Sequence, residues 1–166
     1  PMILIITGPP AAGKTTIGKI LSTMIPNCAL IDVDVLRAMV RNPHIPPWKG
    51  QAGNHQLLLG TKNACNLARE FHTQPFNVII LDVLTNESQK LYQSSLDELN
   101  PNFVLLLPTL ETCIERNKAR GQFLEDKEVM GLYAWQASLE NIEHVVDNSL
   151  IPAKAVAQIL LKDFYS

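Results

Sequence analysis

The sequence predicts an α/β fold in which a five-stranded parallel sheet carries helices on both faces. Three observations carry that expectation. Short apolar runs bounded by Gly or Pro alternate along the whole chain with stretches at helical spacing, an order that sets strands in parallel with helices across them. The strand-like runs are apolar throughout rather than alternating, as in strands covered on both faces. The longest, Met2–Ile6 and Phe103–Leu107, have five residues. That is the length of a buried strand and far short of the about 20 residues a membrane span needs.

Ile3–Thr7 is the first strand and stops at Gly8. Lys14–Ile25 sets Ile17, Ile20, Leu21 and Met24 at helical spacing until Pro26 ends it. Cys28–Ile31 is a second strand running into acidic residues, and Val35–Val40 a helical turn or two. Asn42–Lys49 holds three of the eleven prolines and is irregular. Gln51–Phe71 reads as a long helix, Asn77–Leu81 as a third strand ending in Asp82, and Ser88–Leu99 as helical. Phe103–Leu107 is a fourth strand, stopped by Pro108. Helices follow at Leu110–Ala119 and Lys127–Leu139, then a short strand at His144–Val146 and a closing helix at Pro152–Leu161 with Pro near its first position. No repeat or low-complexity linker divides the chain, so residues 1–166 are expected to form one domain. Ligands of such sheets bind beyond the carboxyl ends of the strands, where Thr7, Asp32, Asp34, Asp82, Pro108 and Asp147 fall.

Composition excludes several classes. With 46% hydrophobic and 18% charged residues the chain is no disordered tail. Fourteen Lys and Arg against 16 Asp and Glu leave a net charge of −2, without the basic surface that sequence-independent nucleic-acid binding requires. No nucleic-acid or membrane partner is expected. Cys28, Cys65 and Cys113 lie far apart with no CxxC pair, the pattern of reduced thiols in a cytoplasmic protein rather than of a disulfide frame or zinc site. No basic stretch followed by an apolar one opens the chain, so no secretory leader is expected, and Met2 reads as the natural start with Pro1 added before it.

Gly8-Pro9-Pro10-Ala11-Ala12-Gly13-Lys14-Thr15 is GxxxxGKT, the P-loop, set between a strand and a helix as its mechanism requires. Glycines let consecutive backbone N–H groups converge on phosphate oxygens, and the helix N-terminus adds its dipole. Gly8 through Thr16 is therefore the expected cradle of a nucleoside triphosphate, with Lys14 reaching the β and γ phosphates and the Thr15 hydroxyl available to Mg²⁺. Asp82, closing the run Val78–Leu81, has the form of a Walker B carboxylate that would hold the same Mg²⁺; a cap on the next helix fits it too.

A small GTPase is the rival at this length. Asp82-Val83-Leu84-Thr85 has Thr where such switches need Gly, and Asn117-Lys118-Ala119-Arg120 has Arg where an Asp must accept two guanine N–H bonds. The non-enzyme alternative is then a nucleotide-dependent regulatory protein.

Val33-Asp34-Val35-Leu36-Arg37-Ala38-Met39 resembles the D-x-x-R segment after the second strand of chloramphenicol phosphotransferase-like, zeta-toxin-like and polynucleotide kinases, and of adenylate kinases. The resemblance follows the order of elements along the whole chain and implies a three-layer P-loop NTPase fold, nucleoside-kinase-like, using ATP and Mg²⁺. It implies Asp34 as general base toward an acceptor hydroxyl and Arg37 as the residue that positions the acceptor. Asp32 or Asp34 as the cap of the following helix is the alternative. It also implies a short lid at about 116–127, in which Arg116 and Arg120, four residues apart on one helix face, neutralise transition-state charge. A solvated basic helix end before Gly121 fits these arginines as well. Val146–Ser149 stands where related kinases hold adenine, and a plain turn fits it equally.

For the acceptor, adenylate kinases use a second arginine after strand three, where this chain has Asn86. An amide does not replace a guanidinium fork on phosphate, which points away from a nucleoside monophosphate and toward an uncharged hydroxyl compound: antibiotic-, sugar- or nucleoside-like. Shikimate and gluconate kinases bind anionic acceptors with several basic residues, whereas Lys49 and Lys62 alone are basic between Asn42 and Asn63. The acceptor region is expected at about 42–63, with His44, Trp48, Gln51, Asn54 and His55 as its polar and aromatic residues, though Trp48 in a Pro-rich loop also fits a core cover. A nucleoside or nucleotide kinase remains the alternative enzyme, and the sequence leaves oligomeric state open.

Overall fold

Strands covered on both faces need apolar side chains pointing both ways, and β1 (Ile3–Thr7, ILIIT) and β3 (Asn77–Leu81, NVIIL) are buried along their whole length. In the computed structural model, which describes residues 1–165, they are central in a five-stranded sheet of order β2-β3-β1-β4-β5. β2 is Cys28–Asp32, β4 Asn102–Leu106 and β5 His144–Val146, and every pairing is parallel. The expected fold class and strand count are both met.

Alternation along the strands divides the core in two. Leu4, Ile6, Ile79 and Leu81 pack under α1 (Lys14–Met24) and α7 (Ala153–Phe164), against Ile17, Leu21, Val156 and Leu160. Ile3, Ile5, Val78 and Ile80 face the other way, toward α3 (Gly50–Thr73) and α4 (Asn86–Ser95), against Ala64, Cys65, Ala68 and Tyr92. Between β2 and α3 lies the short α2 (Val33–Arg37), and after β4 come α5 (Leu110–Ala119) and α6 (Asp126–Ala137). The chain leaves β1 toward β2 on one side and later returns to β4 on the other. The loop after β1 therefore sits where the winding reverses, the crevice in which open α/β sheets hold ligands.

Two element boundaries differ from expectation because of caps. α2 begins at Val33 rather than Val35, since the Asp32 carboxylate accepts the Asp34 N–H at 3.1 Å. α4 begins at Asn86 rather than Ser88 because Thr85 and Ser88 form a capping box, and a separate 3-10 turn at Asp97–Leu99 makes up the rest of the expected helix. Cys65 and Cys113 are buried and Cys28 half-buried, all three free, and burial pushes each thiol up to about 11. Among the described residues no helix is long and apolar enough to cross a membrane.

A buried polar knot fixes α6 to the carboxyl edge of the sheet. The Thr7 hydroxyl donates to Gln136 Oε1 at 2.6 Å, Gln136 Nε2 donates to the Leu84 carbonyl at 2.8 Å, and the Leu84 N–H donates to Thr7 Oγ1 at 3.0 Å. Gln136→Ala leaves the Leu84 carbonyl and Thr7 hydroxyl short of partners. It should lower stability by about 1–3 kcal/mol, read as a lower urea midpoint at unchanged m-value.

Candidate active site

The loop after β1 closes on itself through the Ala12 N–H to the Pro9 carbonyl at 3.2 Å, and α1 starts from Gly13 at φ 98°, a backbone state that costs little only without a Cβ. Lys14 folds back over this loop and donates to the carbonyls of Gly8 at 2.6 Å and Pro9 at 3.1 Å. Burial lowers the Lys14 ammonium to about 8; Asp34 and Asp82 pull upward and Arg120 adds to the lowering.

At the end of β3 the Asp82 carboxylate is fully covered. Arg37 Nη1 donates to it at 2.7 Å, the Tyr92 hydroxyl at 2.6 Å and the Val83 N–H at 2.8 Å. Arg37 also donates to the Leu57 carbonyl at 3.1 Å and lies across Gly60, where a Cβ would come within 2.9 Å of its Cγ. Burial pushes Asp82 up from the carboxylate range against the pull of Arg37 and Tyr92. It pushes the Tyr92 phenol well up too, with Asp82 adding to it.

One cleft of about 440 Å³ joins the loop to the far side of the sheet edge. Pro10 through Thr16 line one end together with Arg120. Asp34 and Arg37 of α2 line its middle, the Asp34 side chain 75% exposed and 3.7 Å from Arg37 Nη1. His44, Pro46, Pro47 and Trp48 from the Pro-rich loop form the other end, with Leu124 ahead of α6 and Leu132 and Trp135 on it. Gln56 of α3 holds that loop in place, accepting the Ile45 N–H and donating to the Pro43 carbonyl, both at 2.9 Å.

Of the residues singled out in the sequence, Pro10 to Thr16, Asp34, Arg37, His44, Trp48 and Arg120 come together in the cleft, with Gly8 and Pro9 forming the turn behind it. Asp32 takes the helix cap, leaving Asp34 as the carboxylate on the cleft. Asp82 is not brought there: its side chain is 0% exposed and bound to Arg37, so the metal role expected of it does not match its placement. Arg116 also differs from expectation, because its guanidinium donates to the Asn148 carbonyl at 2.8 Å and toward that of Ala12 at 3.5 Å, tying the phosphate loop to the turn after β5. Gln51, Asn54 and His55 stay outside the cleft, Asn54 donating to Glu87 at 3.2 Å. Pro46 and Pro47 fall within the expected acceptor region at about 42–63 and Leu124 within the expected lid at about 116–127, without having been singled out, whereas sequence reasoning missed Leu132 and Trp135; the one available signal was that Trp135 is the only tryptophan besides Trp48.

Mg²⁺ bound with a nucleotide takes one or two protein oxygens beside phosphate and water oxygens. The exposed Thr15 hydroxyl at the start of α1 fits that demand, whereas the covered Asp82 carboxylate does not.

A P-loop at the winding reversal of a β2-β3-β1-β4-β5 sheet defines a P-loop nucleotide-binding protein with the fold of small-molecule kinases. The chain belongs to the AAA domain family, whose model matches residues 4–143. No protein of curated function matches it. Among solved structures it is similar to a sugar kinase from Janibacter sp., with a TM-score of 0.73 at 18% identity over 99% of this chain and 96% of that one. The tunicamycin resistance protein of Deinococcus radiodurans gives 0.71 at 18% identity over 98% and 95%. Shikimate kinase from Acinetobacter baumannii in complex with shikimate gives 0.67 at 18% over 97% and 92%.

Two outcomes follow from the site's charges. Arg37→Met leaves a buried carboxylate unpaired and should cost about 3–5 kcal/mol in chemical denaturation, most of it recovered in Arg37→Met/Asp82→Leu. Lys14 titrates near 8 in the free protein against 10.5 for an ordinary lysine, so its charged form costs the fold stability below pH 8, a cost that fades as pH rises toward 10.5. A bound triphosphate needs the charged form. Calorimetric affinity for nucleotide should therefore be full below pH 8 and fall by up to about tenfold per unit above it, a fall that Lys14→Met should not show.

Proposed function

We propose that the protein is an ATP- and Mg²⁺-dependent phosphotransferase that transfers the γ-phosphate to a hydroxyl of a small, uncharged molecule. The observation that carries this reading is a single cleft in which the phosphate cradle and the exposed carboxylate of Asp34 are joined to a wall without lysine or arginine.

In this reading the backbone N–H groups of the P-loop and the Lys14 ammonium hold the β and γ phosphates, exchanging the Gly8 and Pro9 carbonyls for phosphate oxygens. Thr15 would hold Mg²⁺, which when bound offsets charge on the phosphates. Asp34 accepts the proton of the acceptor hydroxyl as its oxygen bonds to the γ-phosphorus and the bond to the β-phosphate oxygen breaks, leaving ADP and a phosphate ester. Arg37, held by Asp82 and Leu57, orients Asp34 and the acceptor. Arg120 neutralises charge on the moving phosphoryl group. Arg116 and Asp82 act through others: Arg116 holds the phosphate loop and Asp82 holds Arg37.

The acceptor end supports an uncharged molecule. His44, Pro46, Pro47, Trp48, Leu132 and Trp135 form it, and the cleft's cations lie toward the phosphates or are paired with Asp82. Kinases of sugars and of shikimate share the fold, in keeping with a small hydroxyl compound as acceptor. Three reduced thiols and a mildly acidic surface suit a cytoplasmic enzyme without nucleic-acid or membrane partners.

The test is transfer of label from γ-labelled ATP with Mg²⁺ to aminoglycosides, phenicols, sugars, nucleosides and nucleoside monophosphates. Label should appear on a neutral hydroxyl compound and disappear in Lys14→Ala. Asp34→Asn should bind ATP normally and turn over about 10²–10⁴-fold more slowly; wild-type turnover there removes the base assignment. Label on monophosphates alone would make the protein a nucleotide kinase.

A further inference from the structure

The cleft does not end at Trp48. An apolar recess of about 230 Å³ opens beside it, walled by Trp48, Gly131, Leu132 and Trp135 with Glu128 at its rim. Trp48, Leu132 and Trp135 line cleft and recess alike, so the two adjoin across a shared wall. Glu128, Gly131, Leu132 and Trp135 recur along α6 at the spacing of one helix face, while Val129 and Gln136 of the same helix are buried in the protein. Both tryptophans of the chain stand here, and Trp48 is 46% exposed. Gly131 borders open space: a Cβ at this position would meet nothing within 4 Å, so a larger side chain can be placed there without a clash at its base.

We infer that this recess is an acceptor subsite that takes a neutral aromatic or aliphatic arm of the molecule whose hydroxyl enters the cleft. The hydroxyl rests on the phosphotransferase reading; the arm follows from the walls alone. Two indoles and a leucine present apolar surface that water solvates poorly, and indoles favour offset or edge contacts with a second ring. A dry cavity of about 150 Å³ already holds a benzene ring, so the recess has room for one. With Glu128 as its only charged lining residue, it repels an anionic arm. The acceptor is thus an amphipathic alcohol, with its polar hydroxyl end at Asp34 and its apolar end between Trp48 and Trp135.

Because the chain's two tryptophans both wall the recess, intrinsic fluorescence reports directly on it without any turnover. Methyl and phenyl β-glucoside form a matched pair differing only in the arm. Phenyl glucoside should change the tryptophan emission and bind roughly tenfold to hundredfold more tightly than methyl glucoside, the gain expected for burying one phenyl group. Gly131→Leu fills the recess from a helix position that favours leucine over glycine. It should remove at least tenfold of the phenyl advantage while melting no lower than wild type and binding nucleotide unchanged. Equal affinities for the two glucosides, or a phenyl advantage that survives in Gly131→Leu, would overturn the subsite. Parallel label transfer to the acceptor panel separates the two readings: a phenyl advantage with no label on any acceptor upholds the subsite and removes the kinase, and label on a neutral acceptor with equal glucoside affinities does the reverse.

Discussion

The ion pair between Arg37 and Asp82 is the constraint from which the site takes its shape. It closes where four elements meet: Asp82 follows β3, Arg37 ends α2, Leu57 lies in α3 and Tyr92 in α4. Taking two charges out of water is costly, and mutual attraction offsets this only when the remaining hydrogen-bonding capacity is also met. Here Tyr92 and the Val83 N–H supply donors to the carboxylate and Leu57 an acceptor to the guanidinium, while Arg37 Nε stays buried without a partner, so the demand is met on the carboxylate side and only in part on the arginine side. The pair holds a helix of five residues, too short to be stable alone, against the sheet edge. Asp34, one turn before Arg37, is thereby presented to the cleft from a fixed base.

Charge is distributed along the cleft in a way that matches its two ends. Lys14 and Arg120 stand at the phosphate loop, where negative charge would gather, and Arg120 is close enough to help lower the Lys14 ammonium. At the opposite end the lining is proline, histidine and indole, without lysine or arginine. Fixed dipoles and charges act most strongly where water is excluded, and Leu124, Leu132 and Trp135 give the cleft an apolar wall.

What the sequence made legible is what local pattern controls. Uniformly apolar runs mark β1 and β3 because both faces of those strands are covered, and GxxxxGKT marks the phosphate loop because its geometry depends on residues next to each other in the chain. What escaped depends on which elements become neighbours. Asp82 has the local form of a metal ligand, yet its environment is set by Tyr92 and Arg37, ten and 45 residues away. Arg116 and Arg120 share a spacing, but α5 ends at Ala119, so Arg120 leaves the helix toward the cleft while Arg116 stays against the Asn148 turn. Leu132 carried no signal that it faced a site, and Trp135 only that of being the second of two tryptophans, since apolar positions at helical spacing read as core.

The knot at Gln136 has a consequence for how such a protein changes over generations. It anchors α6 through one buried polar residue, with Val129 buried a helical repeat earlier, and leaves the adjoining face to the cleft and its recess. Residues that hold the helix and residues that wall the recess are thus different residues on one element. Substitutions at 128, 131, 132 and 135 can reshape the recess while the hydrogen bonds of Gln136 stay intact, so the walls of this cavity can diverge without the fold being lost first.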